Sequence, residues 1–315
     1  MRVGAIDCGT NSIRLLIADL DPESGALTDL VRRMEIVRLG YGVDRTGRLD
    51  PERMAATLAM TREYAQACRA HGVTAIRFVA TSASRDASNA ADFVSGVQEA
   101  FGDLAVTPEV ISGDEEAGLS FRGATGDVRA AGATAPFLVV DIGGGSTEFV
   151  LGTHAVEAGV STDVGCVRMT ERHLRDDPPT RAQIEAATAD IEAAIDVAAR
   201  QVPMQSARTI VGLAGSITTI TAHALVLPSY LPDRIHLSRL TPAHAIAAAD
   251  DLVAMTRSDR AELPFMHPGR VDVIGAGALI WRTVIDRVTR MAGPVPVLTS
   301  EHDILDGIAL SLLER

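Results

Sequence analysis

One pattern occurs twice in this sequence and narrows its folds more than any other feature. Val3-Gly-Ala-Ile-Asp7-Cys-Gly9-Thr10-Asn11-Ser12 runs into the apolar segment 13–20. Phe137-Leu-Val-Val-Asp141-Ile-Gly143-Gly144-Gly145-Ser146-Thr147-Glu148 runs into 149–152. Each copy reads as a strand, an Asp-x-Gly turn rich in hydroxyls, and a return strand. A repeat of such long period points to duplicated domains, since solenoid repeats are much shorter. The 315 residues are ample for two hydrophobic cores.

Helical and extended patterns alternate around the two copies. Residues 51–71 read as a helix with Pro51 in its first turn and Gly72 as its stop, and 75–80 as a strand. A helix at 90–101, a strand at 106–111 and a helix at 114–123 with an acidic first turn follow. After the second copy, strands are expected at 156–161, 209–211 and 295–298. Helices are expected at 180–200, 216–225, 242–255, 271–291 and 301–313. This alternation makes the chain α/β. The Gly- and Ala-rich stretch 126–136 reads as a loop, so the expected domains span 1–125 and 126–299, with a last helix in 300–315.

Composition bears on partners. A net charge of −12 sets the chain apart from general nucleic-acid binders. An anionic substrate would have to be met by local arginines, backbone N–H groups and a divalent cation. Aromatic residues make up only 3%, so stacking on bases or sugars is not the main recognition device. No run approaches the roughly 18 apolar residues of a membrane span, and no charged leader precedes the first strand, so a cytoplasmic protein is expected. Cys8, Cys68 and Cys166 are too scattered for a metal site or a disulfide framework, and Cys8 is read as a packing residue.

The chemistry concentrates in five places. In the two Asp-x-Gly loops, Gly9 and Gly143, Gly144 and Gly145 can present successive N–H groups to an anion. Thr10, Asn11, Ser12 and Arg14 in one copy, and Ser146 and Thr147 in the other, offer side-chain donors to the same oxygens. Asp7, Asp141 and Glu148 are hard oxygen ligands suited to Mg2+. One such loop alone would pass for an ordinary tight hairpin; two at strand ends point to a site. The segment Thr209-Ile-Val-Gly212-Leu-Ala-Gly215-Ser216 leads a strand through glycines into a helix start, which suits an anion at Gly215 and Ser216 or simply close packing. Thr81, Ser82 and Arg85 follow a strand end, where α/β proteins place ligand groups. Asp114, Glu115 and Glu116 open a helix, where they either complement its dipole or activate a water beside bound phosphate.

In order along the chain, Asp7-x-Gly-Thr-Asn-Ser12, Ala80-Thr-Ser-Ala with Arg85, Ile111-Ser-Gly-x-Glu-Glu-Ala117 and Asp141-x-Gly-Gly-Gly-Ser-Thr-Glu148 are joined by Gly165-x-Val-Arg168 and Gly212-x-x-Gly-Ser216. Arg270-x-Asp-Val-Ile, Ala276-Gly-Ala278 and Ser300-Glu301 complete the set. Together they resemble the exopolyphosphatase and guanosine pentaphosphate phosphohydrolase family of the actin-like ATPase superfold, in its short two-domain form. The resemblance implies two ribonuclease-H-like domains with an inter-domain cleft, and a last helix that packs back on the first domain. It implies Mg2+-dependent release of terminal orthophosphate, with Mn2+ able to replace Mg2+, and a homodimer linked to the stringent response.

By the same resemblance Glu116 is the base, with Glu115 as its neighbouring alternative. Arg85 holds substrate phosphate, Asp141 and Glu148 are linked to metal, and Gly143 to Thr147 form the phosphate loop. The expected reaction is in-line attack of water on inorganic polyphosphate. Guanosine pentaphosphate is the alternative substrate; a superfold kinase and a non-enzymatic polyphosphate or nucleotide sensor are the remaining readings. Longer family members carry a further His-Asp metal domain, and His302-Asp303 is read here as a helix start rather than as its remnant.

Overall fold

In the computed structural model, which describes residues 1–314, the first Asp-x-Gly segment is a hairpin. β1 (Arg2–Cys8) pairs antiparallel with β2 (Ser12–Leu20), and β2 pairs with β3 (Leu27–Ile36). Parallel strands β4 (Ala75–Ala80) and β5 (Glu109–Val110) join on the other side, in the order β3-β2-β1-β4-β5. Central β1 is buried on both faces, which explains its apolar sequence up to Asp7.

Alternation divides the side chains of β1 and β2 between two layers. Ile6, Ile13, Leu15 and Ile17 pack with Tyr64, Phe78, Phe93 and Phe101, beneath α2 (Pro51–Ala70) and α4 (Ala90–Phe101). Val3, Ala5, Leu16 and Ala18 pack against Leu305 and Ile308 of the closing helix, Ile304–Ser311. The short helices α1 (Val43–Thr46) and α3 (Ser82–Asp86) lie in the connections. Asp50 caps α2 by accepting from the Glu52 and Arg53 N–H groups, and Pro51 occupies a first-turn position, where a missing N–H does no harm.

The second unit repeats the plan. β6 (Phe137–Ile142), β7 (Thr147–Gly152), β8 (Val156–Thr162), β9 (Thr209–Leu213), β10 (Arg239–Leu240) and β11 (Val297–Thr299) form a sheet of order β10-β11-β9-β6-β7-β8. Read as β8-β7-β6-β9-β11, it matches the first sheet strand for strand, with β10 added antiparallel at the edge. Each unit is ribonuclease-H-like, and the α/β expectation holds. The units comprise Met1–Gly123 with the segment from Ile304, and Ala124–Asp303. α5 (Gly113–Ala130) carries the chain out of the first, and α6 (Cys166–Arg172), α7 (Arg181–Ala199), α8 (Ala214–Ala224), α9 (Pro232–Ile235), α10 (Pro242–Ala254), α11 (Arg257–Ala261) and α12 (Ile274–Ala292) belong to the second.

Several local expectations are corrected. The strand expected at 106–111 shrinks to Glu109–Val110, because Pro108 has no N–H for a ladder. α5 runs on to Ala130 through residues read as loop, since Gly126 only weakens a helix; the turn comes at Gly132, whose φ is +75°. β3 carries no apolar signature because it is a largely exposed edge strand.

At Gly307 the closing helix crosses α5 so closely that a Cβ would lie 2.0 Å from the Leu119 carbonyl oxygen. Gly307→Ala should therefore destabilise the first unit by about 1–3 kcal/mol, the usual range for overpacking. Gly126→Ala, where a Cβ meets nothing within 4 Å, should be neutral or gain about 0.5–1 kcal/mol. Denaturant unfolding of both variants is the measurement; equal stability would refute the close crossing.

Candidate active site

The two loops share a backbone turn. The Gly9 N–H donates to the Ser12 carbonyl at 2.9 Å, and the Gly143 N–H to the Ser146 carbonyl at 3.0 Å. The residue opposite each aspartate differs: strand register sets Asp7 against Arg14 and Asp141 against Glu148. In the first unit Arg14 donates from Nε and Nη2 to Asp7 Oδ2, at 2.9 and 2.7 Å, closing a largely buried ion pair. In the second, Asp141 and Glu148 are 6% and 1% exposed, and Glu148 Oε1 accepts the Ser161 hydroxyl at 2.7 Å. Directly opposed residues bring their Cβ atoms to about 5 Å, and like charges there are destabilising. Two buried carboxylates so placed, with no nitrogen or sulfur donor in the set, fit a hard divalent cation such as Mg2+.

The carbonyls of the glycine loop are held from one side. Gly143 accepts from the Cys166 N–H at 3.0 Å, Gly144 from the Val167 and Arg168 N–H groups, and Gly145 from Arg168 Nε at 2.7 Å. Gly165 permits this approach, because a Cβ there would lie 2.4 Å from the Gly144 carbonyl and 2.5 Å from the Gly145 nitrogen. In a trans peptide the N–H points opposite to its own C=O. The N–H groups of Gly144, Gly145 and Ser146 therefore turn away from α6, as an anion-binding nest requires. The Thr147 hydroxyl is spent on the Val164 carbonyl at 2.6 Å, so any anion contact from Thr147 would come from its backbone.

In the first unit, Thr81 and Ser82 are buried at the end of β4, where the Thr81 N–H donates to the Cys8 carbonyl at 3.2 Å. Arg85 Nη1 donates to the Ile111 carbonyl at 3.0 Å and to Glu116 Oε2 at 2.8 Å. Glu116 is 7% exposed. Its neighbour Glu115 turns to Arg77, a buried guanidinium on β4 that also donates to Glu109 and Ser311. Six buried side-chain polar atoms lack a hydrogen-bond partner among the described residues; Thr10 Oγ1 and Asn11 Oδ1 lie in the loop after β1, and Ser84 Oγ in the short helix α3 after β4. A buried orphan of this kind costs about 1–3 kcal/mol, and clustering at adjacent strand ends is the mark of a ligand loop.

Gly215 and Ser216 open α8 under other contacts. The Arg270 guanidinium lies where a Gly215 Cβ would be, and the Ser216 hydroxyl packs where a Gly277 Cβ would be. Ser216 also bonds the Cys166 thiol, which burial pushes up to about 11. The close-packing role of these glycines is thus visible. Arg77 was missed in the sequence because a lone arginine within an apolar strand carries no motif; Arg168 and Arg270 lay in the quoted motifs without an assigned role.

The sequence of the chain matches the Ppx/GppA phosphatase family over residues 16–312. The chain belongs to that family. It is 50% identical over 317 aligned residues to exopolyphosphatase 2 of Mycobacterium tuberculosis, covering 99% of this chain and 98% of that protein. A solved exopolyphosphatase-like protein is 43% identical, with a TM-score of 0.94 over 99% of this chain and 97% of its own. The PPX-GPPA enzyme of Aquifex aeolicus is 29% identical, with a TM-score of 0.79 over 99% of both chains. The two units accordingly have the actin-like ATPase fold, and this Ppx/GppA protein is an enzyme, a phosphoanhydride hydrolase.

Two outcomes are expected of the site as built. Gly165→Ala should push the glycine loop out of place and lower phosphate release at least about tenfold in kcat/KM, since a shift near 1 Å can cost about 100-fold. Retention of full activity would refute the role of that contact. All three cysteines are free and buried, and burial pushes Cys68 and Cys166 up to about 11 and Cys8 up as well. The thiolates are therefore scarce near neutral pH. Native protein should be inert to the thiol reagent DTNB at about pH 8, while unfolded protein titrates every cysteine.

Proposed function

We propose that this Ppx/GppA phosphatase is a Mg2+-dependent exopolyphosphatase, removing terminal orthophosphate from inorganic polyphosphate. The similarity to the mycobacterial exopolyphosphatase 2 supports this substrate. The observation that carries the mechanism is the Arg85–Glu116 pair, a buried carboxylate held in one position by a guanidinium at 2.8 Å.

In this reading water attacks the terminal phosphorus in line with the bridging oxygen. The P–O anhydride bond breaks, and the products are orthophosphate and a chain one unit shorter. Glu116 orients the water and takes its proton. Arg85 spends only Nη1 on Glu116 and Ile111, which leaves Nε and Nη2 for a phosphate oxygen. The N–H groups of Gly144, Gly145 and Ser146 bind phosphate oxygens of the chain. Asp141 and Glu148 hold Mg2+, which when bound neutralises charge on the phosphates. Asp7, already balanced by Arg14, anchors its loop, and Glu115, bound to Arg77, is not the base.

Glu116→Gln should lower kcat about 10²- to 10⁴-fold, the usual contribution of a general base, with folding retained. Glu115→Gln should keep kcat within about tenfold. Glu148→Gln should raise the Mg2+ concentration needed for half-maximal rate. Phosphate release from short and long polyphosphate and from guanosine pentaphosphate, measured in parallel, tests the substrate and the base together. Release from guanosine pentaphosphate alone would overturn the substrate; a Glu115→Gln loss exceeding that of Glu116→Gln would overturn the base.

A further inference from the structure

Away from the phosphate loops, three metal-ligating side chains converge within the second unit. Asp127 comes from the end of α5, His236 follows α9, and His302 lies between β11 and the closing helix. The His302 Nδ1 is 2.6 Å from Asp127 Oδ2, and the His236 Nε2 is 3.5 Å from that same oxygen. One ligand atom from each residue lies within 4.8 Å of the other two, and the imidazole centroids are 4.7 Å apart. Among the described residues no other group of three or more such side chains comes so close together. His302, which reads in the sequence as part of a helix start, is therefore one corner of a cluster.

We infer that Asp127, His236 and His302 form a binding site for a transition-metal dication of the Zn2+ class, separate from the Mg2+ acids of the phosphatase reaction. Two imidazoles and one carboxylate are the donors such ions select, whereas Mg2+ prefers oxygen throughout. Ligand bonds of about 2.1 Å at tetrahedral angles set donor atoms roughly 3.4 Å apart. The observed separations of 2.6 and 3.5 Å from Asp127 bracket that value. The side chains are 46%, 22% and 41% exposed for Asp127, His236 and His302, so an ion can enter and water can fill the fourth position.

Backbone groups contact two of the three residues. The His302 N–H donates to Ser300 Oγ at 3.1 Å, and that hydroxyl donates back to the His302 carbonyl at 2.8 Å. The Glu301 N–H donates to His236 Nδ1 at 3.2 Å, so in this form the neutral ring carries its proton on Nε2 and directs it at Asp127. Coordination through Nε2 moves that proton to Nδ1 and releases the Glu301 N–H to water. His302 likewise shifts its proton from Nδ1 to Nε2. Metal entry thus replaces a proton-mediated contact by a bond that ties the end of α5 to the segment following β11.

The inference does not depend on the reaction proposed above, and its test reads metal rather than turnover. Full-length protein is dialysed against micromolar Zn2+ in millimolar Mg2+, and bound zinc is measured by elemental analysis. Wild type should retain one equivalent, while His236→Ala and His302→Ala should each weaken retention at least about tenfold and Asp127→Asn should weaken it too. Co2+ in place of Zn2+ should give a ligand-field spectrum that His302→Ala abolishes. Circular dichroism checks that the variants fold; His302→Gln serves as a milder change should His302→Ala unfold. No retained zinc in wild type, or equal retention in His236→Ala and His302→Ala, overturns the assignment.

Discussion

Everything near the phosphate loops depends on how a carboxylate at the end of a buried central strand finds its counter-charge. A strand buried on both faces must be apolar, so an acid at its last turn sits where isolated charge is costly. The first unit answers from within: Arg14, opposite Asp7 in the ladder, closes the pair. The second places another acid, Glu148, opposite Asp141. One duplicated hairpin thus holds an ion pair in one unit and two facing acids in the other. The asymmetry rests on a single ladder position, occupied by Arg14 in one copy and Glu148 in the other.

A similar division separates the two adjacent glutamates. Consecutive residues on a helix point about 100° apart, so Glu115 and Glu116 at the start of α5 meet different neighbours. Buried Arg77 on β4 takes Glu115, and Arg85 takes Glu116. Arg77 also donates to Ser311, which links the start of α5 to the closing helix. The direction of Glu115 is consequently set by a guanidinium that also holds the last segment of the chain, some two hundred residues further on in the sequence.

How much of this was legible in the sequence follows physical lines. The hairpins were legible because apolar strands flank glycine and hydroxyl turns, and Pro51 announced the start of α2. Edge strand β3 was not, because solvent contact removes the alternation that marks a strand. Among candidate site residues, the motifs named positions but not their contacts: nothing in the string Ser146-Thr147 says that Thr147 spends its hydroxyl on Val164. Arg77 and the group of Asp127, His236 and His302 were invisible for another reason. Their partners are distant in sequence, and only folding brings them together.

A net charge of −12 opposes a polyanionic substrate at long range, and the ion pairs bear on how the proposed chemistry accommodates it. Arg14 and Arg85 are each paired with a carboxylate, so neither stands as a bare cation. In the proposed reaction, recognition of phosphate would rest on fixed N–H dipoles, which carry no net charge and need no counter-ion, and on a metal held by acids of the second unit. In that reading Arg85 would meet phosphate through the donors that Glu116 leaves unused. A site built from dipoles and an acid-held metal tolerates an acidic surface, whereas one built from a field of lysines would not. The acidity of the chain is therefore compatible with its proposed chemistry, because local geometry rather than overall charge sets the potential at the loops.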